Sequence, residues 1–204
     1  MRSLKIIISM LVCLAMILSF AACGKQAETA TPAEPKETET TTEETTEGKT
    51  LVVVFSATGN TRAVAQKIAE LTEADYYEIE PEEPYEESEL KVYNITGRIG
   101  QEQSNKDARP AIAGEPISLD DYTRIFIGYP IWYVREPRIM DTFAESYDFT
   151  GKTVIPFCTS GSLDIGTTGE DLAKYAGTGN WLHGKRFEAG SSEEVIKAWL
   201  DELK

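Results

Sequence analysis

A turn rich in hydroxyl side chains follows a short apolar run near position 55. The run LVVVF leads into SATGNT at residues 56–61, where a helical pattern begins. N–H groups at a helix start and the positive end of the helix dipole favour anions. The turn has no lysine and matches neither G-x-x-x-x-G-K-[ST] nor G-x-G-x-x-G, so triphosphates and dinucleotide pyrophosphates fit poorly. A single terminal phosphate fits better, held by what we call the first segment: Ser56, Thr58, Gly59, Asn60 and Thr61.

The first segment alone does not separate a ligand site from an ordinary turn, since these residue types are common in turns. Two further segments favour a ligand site over an ordinary turn. The second segment follows an apolar run at residues 124–129 and consists of Pro130, Ile131, Trp132 and Tyr133. The third segment follows another run at residues 153–158 and consists of Thr159, Ser160, Gly161 and Ser162. In a parallel sheet all three would lie at the carboxyl edge, where ligands bind. Aromatic side chains can cover a flat ring, so phosphate and ring together suggest a flavin mononucleotide.

The elements that would position these segments alternate between strand and helix. Strands are predicted at residues 51–55, 75–80, 124–129 and 153–158, with a weaker fifth at 181–189. Helices are predicted at residues 61–73, from Pro137 onward and at 170–176. A final helix opens with a capping box from Ser191 to Glu194. Its predicted buried face consists of Val195, Ile196, Trp199, Leu200 and Leu203. This alternation implies an α/β fold with a parallel sheet.

Two stretches fit this pattern less well. A crossover helix belongs in residues 82–119, but only Leu90, Val92 and Ile95 offer it an apolar face. The rest of that stretch is polar, so it is either a functional loop or contains an element that the pattern does not reveal. Pro156 is unusual for a central strand, and a local bend would reconcile it.

Together the three segments and their neighbours resemble a known family. FSATGNT resembles the FMN-phosphate loop of flavodoxins, and IGYPIW, EPRIMDTF and GKTVIPFCTSGS resemble a flavodoxin-like subfamily of bacterial reductase-type proteins. The resemblance covers nearly all of residues 51–204. It implies a flavodoxin-like three-layer sandwich whose five-stranded parallel sheet has the order 2-1-3-4-5, with FMN at the switch point. The first segment would then hold the phosphate, and the second and third segments would border the isoalloxazine ring.

One departure from the family bears on the chemistry. Flavodoxins often place a glycine beside the flavin N5, where a peptide flip stabilises the one-electron form. No glycine lies between Tyr129 and Thr150 here, which favours two-electron chemistry. The expected function is an FMN-binding redox protein, either a quinone-reductase-like oxidoreductase or an electron carrier. The alternative is a non-catalytic flavodoxin-like binding module without redox turnover.

The N-terminal residues predict export and lipidation. Arg2 and Lys5 precede an apolar stretch, and Phe20-Ala21-Ala22-Cys23 resembles the lipobox of bacterial lipoproteins. We therefore expect a signal peptide at residues 1–22, lipidation of Cys23 and an anchor outside the cytoplasmic membrane. An uncleaved membrane helix is the alternative. Residues 23–49 are mostly Thr, Glu, Ala, Pro and Lys, which predicts a disordered tether to a domain at residues 50–204.

Charge and cysteine usage exclude several classes of function. The net charge of −14 argues against nucleic acid binding. Metal-ligand spacing is absent, and no side chain is assigned a catalytic role. Cys158 is the only cysteine of the predicted domain, so no disulfide is expected there, and its apolar run predicts burial. The sequence names no electron donor, acceptor or oligomeric state, and no membrane contact besides the lipid anchor.

Overall fold

A parallel β-sheet forms the centre of the described chain, which is residues 48–90 and 94–204 of a computed structural model. The strands are β1 (Lys49–Val54), β2 (Asp75–Glu78), β3 (Tyr122–Pro130), β4 (Thr153–Thr159), β5 (Asn180–Trp181) and β6 (Lys185–Phe187). The helices are α1 (Asn60–Thr72), α2 (Arg98–Ser104), α3 (Arg138–Ser146), α4 (Thr168–Ala176) and α5 (Glu193–Glu202). The predicted α/β class is confirmed.

The sheet has the predicted strand order, β2-β1-β3-β4-β5, with β6 also paired to β4. Every pairing in it is parallel. Alternate residues of β1 point to opposite faces, so Leu51 and Val53 pack in one core and Val52 and Val54 in the other. The first core contains residues of α3 and α4, and the second contains residues of α1 and α5. The sheet is therefore the middle layer of three.

The weak fifth strand is two short strands, and the gap between them lies beside Pro156. β5 pairs with the start of β4 at Thr153 and Val154, and β6 pairs with its end from Phe157 onward. Pro156 has no N–H to donate to the ladder, so the neighbouring strand loses a partner at that level. Pro156 itself stays in register with Ile127 of β3, which keeps β4 central in the sheet.

Residues 82–119 contain α2, an element that the sequence pattern missed. The stretch read as a polar loop folds into seven helical residues whose buried members are Ile99, Gly100 and Gln103. The proposed apolar face is wrong, because Ile95 is 70% exposed and lies outside the helix. Val92 falls outside the described residues. A single buried isoleucine in seven residues is too weak a pattern to predict a helix.

The start of α5 also differs from its prediction. The N-cap is Ser192 without a side-chain cap hydrogen bond, so the predicted capping box does not form. The Ser191 hydroxyl instead donates to the carbonyl oxygen of Glu188 and accepts from its N–H. Val195 is 51% exposed, whereas Ile196, Trp199 and Leu200 are buried. The packed stripe therefore begins one residue later than predicted.

The predictions for the N-terminal region lie outside the described residues. They are the signal peptide at residues 1–22, the lipidation of Cys23 and the tether at residues 23–49. Within residues 48–90 and 94–204, no helix is both long and apolar enough to cross a membrane.

Candidate functional site

The three predicted segments meet at the carboxyl ends of β1, β3 and β4. The Ile131 N–H donates to the Thr159 carbonyl oxygen over 3.1 Å, which joins the second segment to the third. The hydroxyl groups of Thr61 and Thr159 form a buried hydrogen bond of 2.7 Å, which joins the first segment to the third. The three segments therefore share one sheet edge, as predicted.

The first segment forms a cradle of neutral donors at the start of α1. Gly59 is the N-cap residue, with a φ of 86° that favours glycine, and no side chain caps the helix. The N–H groups of the first helical turn have no intrahelical acceptors. In the part of the chain that the structure describes, the buried Oγ of Ser56 also lacks a hydrogen-bond partner. A buried hydroxyl beside open N–H groups fits an anion.

Arg62, a cation beside this cradle, forms an ion pair with Glu78 of β2. Its Nε lies 2.8 Å from both carboxylate oxygens of Glu78, and its Nη2 lies 2.6 Å from one of them. Glu78 raises the pKa of Arg62 through this pair. Nη2 also donates to the Ser56 carbonyl oxygen over 3.3 Å. Arg62 thus braces the backbone of the first segment against β2, and the cradle is left with uncharged donors.

The second segment leads into a tight turn that contains no glycine. The Trp132 N–H donates to the Arg135 carbonyl over 2.8 Å, and the Arg135 N–H donates back to Trp132 over 3.1 Å. The two residues between them, Tyr133 and Val134, have φ values of 48° and 73°. Positive φ at both central positions is the type I′ pattern, which normally uses Asn and Gly. A β-branched residue there stores backbone strain.

Trp132 packs inward, with its ring nearly perpendicular to those of Phe55 and Tyr85. Its ring centroid lies 5.4 Å from that of Phe55 and 5.1 Å from that of Tyr85. The Tyr85 hydroxyl donates to Glu102 of α2 over 2.7 Å, and the Arg98 guanidinium lies 4.3 Å from the centre of the Tyr85 ring. Burial and Glu102 both raise the pKa of Tyr85. The missed helix α2 therefore supports the site through Tyr85.

The third segment is a turn fixed from β6. Arg186 donates through Nε and Nη2 to the Ser160 carbonyl oxygen over 3.1 and 2.9 Å. The Ser160 hydroxyl accepts from the Leu163 N–H over 2.9 Å. No atom lies within 4 Å of a Cβ added at Gly161, so that position is open. Cys158 is buried as predicted, and burial raises the pKa of its thiol to about 12.

A group of charged side chains lies beside the second segment. We call it the charge cluster: Arg109, Arg135, Glu136, Arg138, Asp141 and Glu145. Arg138 is 1% exposed and donates to Asp141 over 2.9 Å, and both Glu136 and Asp141 are fully buried. Burial is the main cause that raises the pKa of Glu136, to about 7, and the nearby Asp141 adds to it. Burial also raises the pKa of Asp141.

Sequence reasoning missed the charge cluster, Tyr85 and Arg186. The alternation of charges in REPRIMD was a usable signal, because opposite charges so close to apolar residues suggest buried pairs. Tyr85 and Arg186 reach the site only through tertiary packing. Thr58 and Asn60 lie in an exposed part of the first segment, where the Asn60 amide donates to the Thr58 hydroxyl over 3.4 Å. Within the described residues no group of His, Cys, Asp and Glu could hold a metal ion.

Comparison with known proteins identifies the family. The family model described as Flavodoxin matches residues 49–203. A candidate flavoprotein from Bacteroides uniformis ATCC 8492 is 42% identical, covers 76% of this chain and 98% of its own, and superposes with a TM-score of 0.72. Another from Bacteroides eggerthii DSM 20697 is 39% identical over 76% of this chain and 98% of its own, with a TM-score of 0.71.

A more distant structure extends the likeness of fold. A flavoprotein in complex with FMN from Lactobacillus acidophilus NCFM is 23% identical, covers 75% of this chain and 99% of its own, and has a TM-score of 0.56. Among curated proteins, none matches the chain. The match to the family model and the two Bacteroides structures agree with the fold. The chain belongs to the flavodoxin family.

Proposed function

We propose that this chain is an FMN-binding redox protein that transfers electrons or hydride through the flavin. The cofactor is FMN, in keeping with the family and with the Lactobacillus acidophilus flavoprotein in complex with FMN. When bound, FMN supplies the redox chemistry, and the chain supplies placement, electrostatics and exclusion of water. The non-catalytic binding module is not favoured, because the donors of an anion cradle are all present.

One observation carries this proposal: the buried hydroxyl of Ser56 has no hydrogen-bond partner among the described residues, and it lies beside the uncapped start of α1. Leaving such a group unsatisfied costs about 1–3 kcal/mol. A phosphate oxygen at this position would accept from Ser56 and from the N–H groups of the helix start. The exposed Thr58 hydroxyl and Asn60 amide can complete the shell, whereas the Thr61 hydroxyl is buried and bonded to Thr159.

The second and third segments border the ring in this proposal. The turn that follows Trp132 covers one side, and the open position at Gly161 leaves room beside the other. The turn has positive φ without glycine, so a peptide flip of the kind seen beside the flavin in other flavodoxins would have to move Tyr133 and Val134. We therefore favour a reductase of small acceptors with two-electron chemistry over a one-electron carrier.

We further propose that the protein is lipid-anchored outside the cytoplasmic membrane through Cys23. The support is the sequence pattern alone: two cations, an apolar stretch and small residues directly before the cysteine. A Cys23→Ala variant should be absent from the membrane fraction when it is expressed in bacteria that process lipoproteins. Equal membrane retention of the variant and the parent would refute the lipid anchor.

The cofactor assignment has a direct test. We expect the purified full chain to be yellow, or to become yellow when FMN is added, with the absorption spectrum of a bound flavin. A colourless protein that does not bind added FMN would refute the proposal. Stepwise anaerobic reduction then separates the two redox classes: a single two-electron transition supports the reductase, and two separated one-electron transitions support the carrier.

A further inference from the structure

Two buried carboxyl groups lie close behind the turn that follows Trp132, and neither is fully hydrogen-bonded. Glu136 Oε1 accepts from Arg135 over 3.1 Å, and Asp141 Oδ2 accepts from Arg138 over 2.9 Å. In the described part of the chain, Glu136 Oε2 and Asp141 Oδ1 are buried without a hydrogen-bond partner. Glu136 directly precedes Pro137, the N-cap residue of α3, and Asp141 is the fourth residue of that helix; side chains at these two positions commonly pack against each other. Each carboxyl group also influences the pKa of the other. One proton between them would satisfy both remaining oxygens.

We propose that Glu136 and Asp141 share one proton and that this pair positions the turn of residues 132–135 against the flavin ring. The second half of this inference rests on the proposed function. The Glu136 side chain contacts the turn through the Arg135 guanidinium, which donates to it. Arg135 is also the residue whose backbone closes the turn by hydrogen bonding to Trp132. Glu136 acts as a positioning residue, since it influences the ring only through Arg135.

The backbone at Glu136 is held in place independently of its charge. The Gln103 amide of α2 donates to the Glu136 carbonyl oxygen over 3.2 Å. A change in the protonation of Glu136 therefore leaves its backbone anchored and acts on the partners of its side chain. The partner that can respond is Arg135, because its side chain is 28% exposed whereas that of Glu136 is fully buried.

The surrounding charges explain why Glu136 is the member that holds the proton. The charged and titratable groups that act on Glu136 are Tyr129 of β3, Arg135 of the turn and Asp141 of α3. Around Arg135 and Asp141 lie three more: Arg138 of α3, Arg109 of the loop after α2 and Tyr175 of α4. Arg138 is bound to Asp141, and Arg109 is bound to Glu145 over 2.6 Å and reaches Asp141 at 3.8 Å. Asp141 thus has two cationic neighbours and Glu136 one, so Asp141 is the better anion.

Raising the pH removes the shared proton and leaves two buried carboxylates side by side. Two neighbouring like charges repel strongly in a low-dielectric interior. Glu136 must then draw Arg135 closer or move away from Asp141, and either change shifts the turn. The affinity for FMN should fall as the pH rises through the pKa of Glu136, which burial raises to about 7.

Two conservative variants separate the proton from the shape of the site. Glu136→Gln keeps a carbonyl oxygen for Arg135 and places an amide donor toward Asp141, so it imitates the protonated pair at every pH. Asp141→Asn keeps an oxygen for Arg138 and offers an amide donor to Glu136, which should then be ionised at neutral pH. Glu145→Gln is the matched control, because Glu145 is 40% exposed and bound to Arg109 at the outer side of the cluster.

The shared proton is tested without cofactor, by infrared titration of the full chain. We expect a carbonyl stretch of a buried protonated carboxyl group at pH 6 that disappears as the pH rises to 8.5. That band should be missing from E136Q and D141N and unchanged in E145Q. A band that persists in both E136Q and D141N, or no band in the parent at pH 6, would overturn the proposal. D141N decides the question if E136Q does not fold.

The positioning role is tested by FMN affinity at pH 6 and pH 8.5. Between pH 6 and pH 8.5 the affinity of the parent for FMN should fall about ten-fold more than the affinity of E136Q. The pH profile of E136Q reports the titration of the FMN phosphate alone. Identical pH profiles of the two proteins would refute the positioning role. If no protein binds FMN at any pH, the proposed function and the positioning role both fail, and the infrared titration still decides whether the proton is shared.

Discussion

The first segment and the turn of residues 132–135 both follow a strand at the same sheet edge, but they are built in opposite ways. The first segment obtains its positive φ from Gly59 and offers only neutral donors, with its neighbouring cation bound to Glu78. The turn obtains positive φ from Tyr133 and Val134 and is backed by buried charges. The first segment is therefore an unstrained loop with neutral donors, and the turn of residues 132–135 is a strained element whose position depends on charge.

The largest expected effect comes from removing a buried cation of the charge cluster that lies behind the turn. Arg138→Met should lower the free energy of unfolding by about 3–5 kcal/mol, because it removes the buried cation that is hydrogen-bonded to Asp141, and Arg109 at 3.8 Å does not replace that bond. Urea denaturation at pH 7 measures the loss. Lys174→Met is the control, since Lys174 pairs with Asp171 at the surface with 70% of its side chain exposed, and its loss should be at most about 1 kcal/mol. Equal effects of the two variants would contradict the buried role of Arg138.

The second prediction concerns pH and stability. The pKa of Glu136 is raised in the folded state, so folding binds a proton, and the free energy of unfolding should fall as the pH rises from about 5 to 8. The expected loss is a few kcal/mol in the parent and close to zero in E136Q. Carboxyl groups with lowered pKa, such as Glu145 and Asp148, act in the opposite direction and only at more acidic pH. A parent whose stability is flat across this range would contradict the burial of a protonated Glu136.

The third prediction probes the bond between the first and third segments. Thr61→Val or Thr159→Val alone should each cost about 1–2 kcal/mol of stability, because each leaves a buried hydroxyl without its partner. The double variant should cost less than the sum of the two, since no orphaned hydroxyl remains. Urea denaturation of the four proteins without FMN measures the coupling. Strictly additive losses would show that the 2.7 Å contact does not contribute to stability.

The smallest expected effect concerns the backbone strain of the turn of residues 132–135. Val134→Gly should raise the free energy of unfolding by about 1 kcal/mol, because glycine adopts a φ of 73° without the strain of a β-branched side chain. Thermal denaturation measures the gain. The matched control is Val195→Gly, also at an exposed valine but inside α5, where the lower helix propensity of glycine should cost roughly 0.3–0.5 kcal/mol. A loss of stability in Val134→Gly would mean that the turn is not strained.

The three central strands β1, β3 and β4 were predictable, because each contains a continuous apolar run buried on both faces of the sheet. β2 is a short edge strand of exposed and half-buried residues. α2 was not predictable, because its seven residues bury one isoleucine and owe their helical state to the contacts of Tyr85, Arg98 and Glu102. The cap of α5 moved because Ser191 bonds to Glu188 instead of the helix. Such choices between competing hydrogen bonds depend on tertiary contacts that local patterns do not contain.

The same division holds for the candidate site. The three segments were predictable because strand ends of a parallel sheet must share an edge. That the Trp132 ring packs against Phe55 and Tyr85 was not, since it depends on a chain stretch far away in sequence. The charge cluster escaped prediction for a related reason: Glu136 and Asp141 become a pair only when α3 begins directly after Pro137 and turns both carboxyl groups inward.

The central claim is that the first segment holds a terminal phosphate, and the most direct test compares FMN with riboflavin, which lacks that phosphate. We predict that the parent binds FMN about a hundred-fold more tightly than riboflavin, as a few charge-assisted hydrogen bonds would give. Ser56→Ala should reduce that ratio about ten-fold while leaving riboflavin affinity unchanged, and Ser104→Ala, at an exposed helix end, should not alter it. Equal affinity of the parent for FMN and riboflavin would contradict the account.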